Sequence, residues 1–345
     1  MRVYAGMSDR VSLRDTIAYA QRVEALGYDG LHVPETVHDG LAVSLLALEH
    51  TTHLTVRTSV ALAFPRSPML TACAAWDLAA FSGGRFQLGL GTQIKQNIEG
   101  RYSVPWTEPV TRMRDYLESL RAIWQTFQHN TPLNYTSTNY TFNRLQPFFN
   151  PGPLDVTLPT LWLGGVNDRM LRLAGSHADG IVTHPTNSNP RYLREICLPA
   201  LAQGAASTGR VPTSIELVSG SQYITGPTVA DVQRNREHHR RLLAFLYSTP
   251  AYRRTLTLHG WEDLGERLQT ITRTQPWDTL HEHVTDEVLD ALVPQGTWDQ
   301  LPDVISQWFA NLADGVILPL PEDPANDARF AEVIAAVRAV PTARS

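Results

Sequence analysis

The chain has 345 residues, of which 43% are hydrophobic and 18% charged, with 12 histidines and a formal net charge of -5. That is a soluble globular composition with no basic excess for nucleic acid, and no apolar run reaches membrane-spanning length. The two cysteines, Cys73 and Cys197, lack a CxxC partner, which argues against a zinc or thioredoxin-type site and suits a reducing cytoplasm. Met1–Ser12 has neither the basic nor the apolar region of a signal peptide, so a cytoplasmic location is expected.

Strand and helix patterns alternate from the start. Arg2–Ala5 reads as a strand. Leu13–Leu26 has helical apolar spacing, and Gly27 stands where a C-cap would. Asp29–Pro34 is a strand, Leu41–His50 a helix, Leu54–Phe64 a long strand-like run and Pro68–Ala80 a helix. Arg85–Gly91 follows as strand, then a helix over about Pro109–Gln128 and an alternating hairpin over Tyr135–Phe142. The order resumes with strand Thr160–Leu163, helix Asp168–His177, strand Gly180–Thr183, helix Arg191–Ala206, strand Ile215–Thr225 and helix Val229–Tyr247. The arginines from Arg234 to Arg241 read as a solvated helix face. A helical stretch from Trp261 to Val293 is interrupted at Gln275-Pro276, and helix Leu301–Leu312 precedes a last strand, Gly315–Pro319. The short, apolar strands suit a parallel sheet buried on both faces. Eight β/α units in this length favour a closed barrel, an α/β (β/α)8 TIM-barrel fold, as a single domain with insertions near 92–145 and 248–298. An open sheet remains the alternative, because periodicity does not show closure.

In such a barrel the chemistry sits at the C-terminal strand ends. Glu35 and His38 follow strand two and are candidate acid–base groups. Gly91, Thr92, Gln93 and Asn97 follow strand four, where glycine permits close approach of a ligand. Gly164-Gly165-Val166-Asn167 opens directly into a helix, an arrangement that suits a bound phosphate as well as a simple capped turn. Strand six ends at Thr183-His184. His238-His239 and His281-x-His283 lack a third ligand, so no metal site is expected.

The ordered set Gly27-Tyr28-Asp29-Gly30, Thr58-Ser59-Val60, Phe81-Ser82-Gly83-Gly84-Arg85-Phe86-Gln87-Leu88-Gly89-Leu90-Gly91 and Ala174-Gly175-x-x-Ala178-Asp179-Gly180 resembles the bacterial luciferase-like superfamily across nearly the whole chain. Gly91-Thr92-Gln93-Ile94-Lys95-x-Asn97-Ile98-Glu99-x-Arg101-Tyr102 with Pro105-Trp106, and Tyr247-Ser248-Thr249-Pro250-Ala251-Tyr252 with Leu258-His259-Gly260-Trp261, are similar to the branch that uses the deazaflavin coenzyme F420. The resemblance implies a barrel enzyme that transfers hydride between F420 and a small organic substrate, as a homodimer docking through helices such as Ala72–Phe81. It implies a cis peptide at Ser59-Val60 behind the ring, and ring contacts from Gly91, Thr92 and Asn97. It further implies phosphate binding by Gly164, Gly165, Val166 and Asn167, and a site position at Thr183.

Glu35 or His184 would move the proton, with Gln93 and Asn97 as orienting groups. Trp106, Arg101, Tyr252 and His38 would meet substrate, and Tyr247 and Trp261 would join an apolar lining. Sugar-phosphate dehydrogenases of the superfamily carry histidine where this chain has Thr36, which argues against that reaction. The alternatives are an FMN-dependent monooxygenase on the same barrel and a non-catalytic deazaflavin-binding barrel.

Overall fold

The computed structural model describes residues 1–274 and 277–344; the interruption expected at Gln275-Pro276 lies outside them. Eight parallel strands form the centre: β1 (Arg2–Gly6), β2 (Gly30–Val33), β3 (Thr55–Thr58), β4 (Phe86–Gly91), β5 (Thr160–Gly165), β6 (Gly180–Thr183), β7 (Glu216–Ser219) and β8 (Gly315–Leu318). Each pairs with its sequence neighbour. The last also pairs with the first, in register from Arg2 against Gly315 to Ala5 against Leu318, so the barrel is closed.

Helices α1 (Thr16–Ala25), α2 (Gly40–Glu49), α3 (Pro68–Ser82), α4 (Pro109–His129), α5 (Asp168–His177) and α6 (Leu198–Ser207) cover the outside. After β7 the chain leaves the barrel for α7 (Val229–Tyr247), α8 (Glu262–Thr274) and α9 (Asp286–Leu292), then returns through α10 (Leu301–Phe309), β8 and α11 (Asp327–Arg338). The excursion has its own apolar core around Leu243, Leu256, Leu268 and Leu289. No described helix is long and apolar enough to cross a membrane.

Local sequence explains the boundaries. Gly27 and Gly83 end α1 and α3 at positive φ, +86° and +66°, where glycine carries no Cβ penalty. Asp39, Ser67 and Asn167 cap α2, α3 and α5 by accepting first-turn backbone N–H groups.

Three sequence expectations need correction. Leu54–Phe64 is not one strand: β3 stops at Thr58, the Ser59-Val60 peptide is cis, and a two-residue continuation, Ala61–Leu62, pairs with β4. Ile215–Thr225 also divides, into β7 and the short strand Ile224–Gly226, which pairs with Gln295–Thr297 outside the barrel. The α7 arginines form a solvated face only in part: Arg234 and Arg241 are exposed, but Arg236 and Arg240 are not. Arg236 and Arg240 have side chains 13% and 12% exposed and pair with carboxylates that include Asp286 and Asp290, tying α7 to α9. Of the helix expected to meet a partner subunit, Ala72, Ala75, Trp76 and Ala79 are buried in the core, whereas Phe81 is exposed.

Side chains alternate across each strand, so the barrel interior is layered. Tyr4, Trp162, Val182 and Val218 fill its middle. Between them lies the fully buried guanidinium of Arg57, 3.1 Å above the Trp162 ring and hydrogen-bonded through Nε to Gln87 (2.7 Å). Its Nη1 is 2.9 Å from His32 Nε2. Burial, together with the Arg57 charge, pushes the His32 pKa well down, so this imidazole is neutral and accepts at Nε2. Above this layer, at the C-terminal strand ends, lie Gly6 of β1, Gly91 of β4 and Gly164 of β5, with Gly220 just past β7, and it is here that the barrel opens.

Candidate active site at the barrel mouth

The mouth is built around Val60. A Cβ on Gly91 would come within 2.4 Å of Val60 Cγ2, and one on Gly164 within 3.0 Å of Val60 Cγ1. Glycine at both positions lets the Val60 side chain stand between β4 and β5. Ser59 and Val60 are partly exposed, as are Thr92, Gln93, Asn97, Gly164, Gly165 and Val166. The result is a shallow floor of backbone and one aliphatic knob, a surface that suits the face of a flat ring.

Glu35 is held rather than free. Its carboxylate accepts from Leu62 N (2.8 Å) and from Arg66 Nη1 (2.7 and 2.8 Å to its two oxygens). Arg66 also pairs with Asp39 at 2.6 Å. Against the expectation that Glu35 moves a proton, this geometry uses it to fasten the chain just after Val60 to the end of β2. Arg66 follows the strand-like run Leu54–Phe64 by two residues, and no sequence signal assigned it this role.

His184 lies at the end of β6. Its Nδ1 is 3.3 Å from the Thr186 backbone N and 2.8 Å from Thr186 Oγ1. A backbone N–H can only donate, so Nδ1 accepts and the proton of the neutral ring sits on Nε2. Burial lowers its pKa to about 4. The ring stacks on Tyr252, with centroids 4.3 Å apart and planes 8° from parallel. Tyr252 and His184, far apart in sequence, are thus brought together.

Several other expected site groups are committed elsewhere. Thr183 is buried: its hydroxyl accepts from Gly220 N (3.1 Å) and meets Ser188 Oγ (2.6 Å), so it joins β6 to β7 and does not face the open mouth. Gln93 has φ +59° and turns its own Oε1 onto Ile94 N. Arg101 Nη2 donates to Thr36 O (3.0 Å), linking the loops after β4 and β2. Trp106 packs edge-on to Phe64, with centroids 5.9 Å apart. Tyr247 is core, its hydroxyl donating to Thr186 O (2.8 Å). Trp261 stacks on His259 at 4.7 Å. His38 is partly exposed on the loop after β2.

On the β5 side, a cavity of about 570 Å3 lies at the N-terminus of α5, lined by Val166, Asn167, Arg169 and Arg254 among others. Arg169 pairs with Glu108 (2.9 Å) and Arg254 with Asp168 (3.3 Å). Both pairs are exposed, hence weak, and both guanidiniums are available to an anion that also meets the helix N-terminus. Beneath runs Thr186-Asn187-Ser188-Asn189, polar yet almost fully buried. Asn187 Nδ2 donates to Val166 O (3.0 Å) and its Oδ1 accepts from Thr255 (2.9 Å). This residue fixes the loop against the excursion. The run of four small polar residues after β6 was its visible signal.

The comparisons with known proteins agree with this architecture. The chain belongs to the luciferase-like monooxygenase family, which it matches over residues 1–315; members of this family are oxidoreductases or monooxygenases. An uncharacterized protein of Mycobacterium tuberculosis (strain H37Rv) is 37% identical over 298 residues, covering 86% of this chain and 87% of that one. The coenzyme F420 dependent tetrahydromethanopterin reductase of Methanopyrus kandleri superposes with a TM-score of 0.77 at 17% identity, covering 99% of this chain and 98% of the other. The oxygenating constituent of 3,6-diketocamphane monooxygenase of Pseudomonas putida, in complex with FMN, gives 0.70 at 13%, covering 100% and 98%.

Proposed function

We propose that this protein is a deazaflavin-dependent oxidoreductase that transfers hydride between F420 and a small organic substrate at the barrel mouth. The observation that carries the reading is the pairing of the Val60 floor with the cavity at the α5 N-terminus. A Cβ at Gly91 or Gly164 would invade the floor, and the cavity offers two arginines and a helix N-terminus. A flat ring with an anionic tail fits that combination. Ser59, Val60, Gly91, Thr92 and Asn97 would border the ring, and Gly164, Gly165, Val166 and Asn167 would hold its phosphate. The similarity to the F420-dependent reductase fold supports the deazaflavin.

The bound ring would supply the hydride chemistry. The protein's part is positioning and polarisation. His184, neutral at physiological pH, presents Nε2–H and polarises a substrate oxygen, as a neutral imidazole can. Tyr252 fixes the plane of that imidazole. Glu35 and Arg66 hold the floor segment in place. Arg57 and Trp162 close the barrel beneath, which keeps water from reaching the ring from below.

The FMN-dependent monooxygenase reading rests on the same floor and on the FMN-bound neighbour. Titrating the purified protein with oxidised F420 and with FMN, followed by absorbance and fluorescence quenching, separates the two. Saturable F420 binding with weak or absent FMN binding is expected; tight FMN binding without F420 binding overturns the proposal.

A further inference from the structure

A second large cavity lies beside the mouth. A cleft of about 720 Å3 is bordered by Gly6 and Ile317, at the ends of β1 and β8, and extends outward between the segment after β7 and the first half of α7. None of the groups described above accounts for it.

Three features of its walls define what it takes. The first is His239 on α7. Its Nδ1 is 2.8 Å from the Asn235 carbonyl oxygen one turn earlier. A carbonyl only accepts, so Nδ1 carries the proton and Nε2 keeps a lone pair. Burial lowers the pKa of this ring, which leaves it an uncharged hydrogen-bond acceptor. The second feature is the opposite wall. Gln222 Oε1, Tyr223 Oη and Thr225 Oγ1 are buried without a hydrogen-bond partner among the described residues. Buried polar atoms are nearly always satisfied, and three orphaned ones on residues that border one cleft point to a polar ligand there. The third feature is charge. The lining carries three carboxylates, Asp231, Glu322 and Asp323, and one guanidinium, Arg234, which Asp231 already pairs. Leu242, Trp298 and Pro319 add apolar surface.

We infer that this cleft binds the substrate, and that the substrate is an uncharged, hydroxyl-bearing molecule with an apolar body. His239 Nε2 accepts from its hydroxyl, the apolar wall covers its body, and the acidic rim turns away carboxylates and phosphates. The assignment as substrate rests on the hydride-transfer reading, because the cleft reaches the barrel opening at Gly6, beside Ile317 of β8. The cleft thus contrasts with the cavity at the α5 N-terminus, which favours anions.

The test uses two probes of equal size, 4-phenylbutan-1-ol and 4-phenylbutanoate, titrated into the full-length cofactor-free protein by NMR. The alcohol is expected to bind and the carboxylate to bind at least about tenfold more weakly. His239→Ala should weaken alcohol binding by about tenfold, Leu242→Trp should block it, and the pair Glu322→Lys with Asp323→Lys should admit the carboxylate. Equal binding of both probes, no binding of the alcohol, or alcohol binding unchanged in both His239→Ala and Leu242→Trp overturns the inference. F420 titrated into the same samples keeps the two questions apart. Wild type that binds the alcohol but no F420 would sink the cofactor reading and leave the cleft standing, whereas F420 binding without alcohol binding does the reverse.

Discussion

His184 and Tyr252 stack face to face, with ring centroids 4.3 Å apart and planes 8° from parallel. One comes from the end of β6, the other from the excursion between β7 and β8, so the contact ties the wall of the mouth to the layer above it. Replacing Tyr252 by Ala removes the stack but neither hydrogen bond at Nδ1. Turnover with F420 and a reducible or oxidisable probe is expected to fall about tenfold in Tyr252→Ala and about a hundredfold in His184→Ala, with F420 affinity changed by less than about threefold. Steady-state kinetics beside a fluorescence binding curve check this; equal losses in affinity and turnover would show that the pair builds the cofactor site instead.

The same imidazole makes stability depend on pH. Its pKa falls from 6.5 to about 4 on folding because burial disfavours the charged form. Between those values the unfolded chain binds the proton and the folded chain does not. Stability is therefore full above about pH 6.5, declines as pH falls, and stops declining below about pH 4, for a total of about 3 kcal/mol from this group. His184→Gln removes this pH dependence. Denaturant unfolding at pH 7 and pH 4.5 should show a smaller difference for His184→Gln than for wild type, and identical differences would refute the assignment.

Much of this was legible in the chain, and the limits have physical causes. The alternation of short apolar strands with helices placed all eight barrel strands, because both periods are set by backbone geometry. Closure was not legible, since it depends on β1 meeting β8 across almost the whole chain. Ser59-Val60 and the glycines at 91 and 164 were visible as motif positions, but their mutual contact was not. Glu35 looked like a free acid because its partner, Arg66, lies 31 residues on. Thr183 looked like a site group because it ends a strand; only the neighbouring strand, through Gly220, reveals that its hydroxyl is taken.

Glu35 and Arg66 should behave as a clamp. Arg66→Met leaves the Glu35 carboxylate, 10% exposed, with the Leu62 N–H as its remaining partner in this set. A loss of about 2–4 kcal/mol in unfolding free energy is expected. Glu35→Gln keeps an oxygen for Leu62 N and should cost about half as much. Both variants should loosen F420 binding through the Val60 segment. If Glu35→Gln abolished turnover with stability and F420 affinity intact, Glu35 would instead be the proton-transfer group.

Asn187 is fully buried, and its amide joins Val166 O to the Thr255 hydroxyl. Asn187→Ala orphans both. It should destabilise the fold by about 1–3 kcal/mol and weaken F420 more than it weakens a ring fragment that lacks the phosphate tail, because Val166 belongs to the loop at the α5 N-terminus. Parallel titrations with F420 and with its tail-less deazaflavin ring decide this; equal weakening would mean that Asn187 supports the whole mouth.

The sharpest prediction concerns the floor itself. A Cβ on Gly91 would lie 2.4 Å from Val60 Cγ2, inside the closest approach of two carbon atoms. Gly91→Ala must therefore displace the Val60 knob, and β4, paired on both sides, has little freedom to yield. The knob moves toward the mouth, into the place of the ring. F420 affinity should fall by at least about tenfold, while overpacking costs stability about 1–3 kcal/mol. Removing the obstructing methyls should undo both effects: Gly91→Ala combined with Val60→Ala has room for the new Cβ and should recover most of the lost affinity. Such non-additivity is the mark of two residues in contact. Isothermal titration of the two single variants and the double variant reads it directly, and strictly additive losses would show that Val60 and Gly91 do not form one floor.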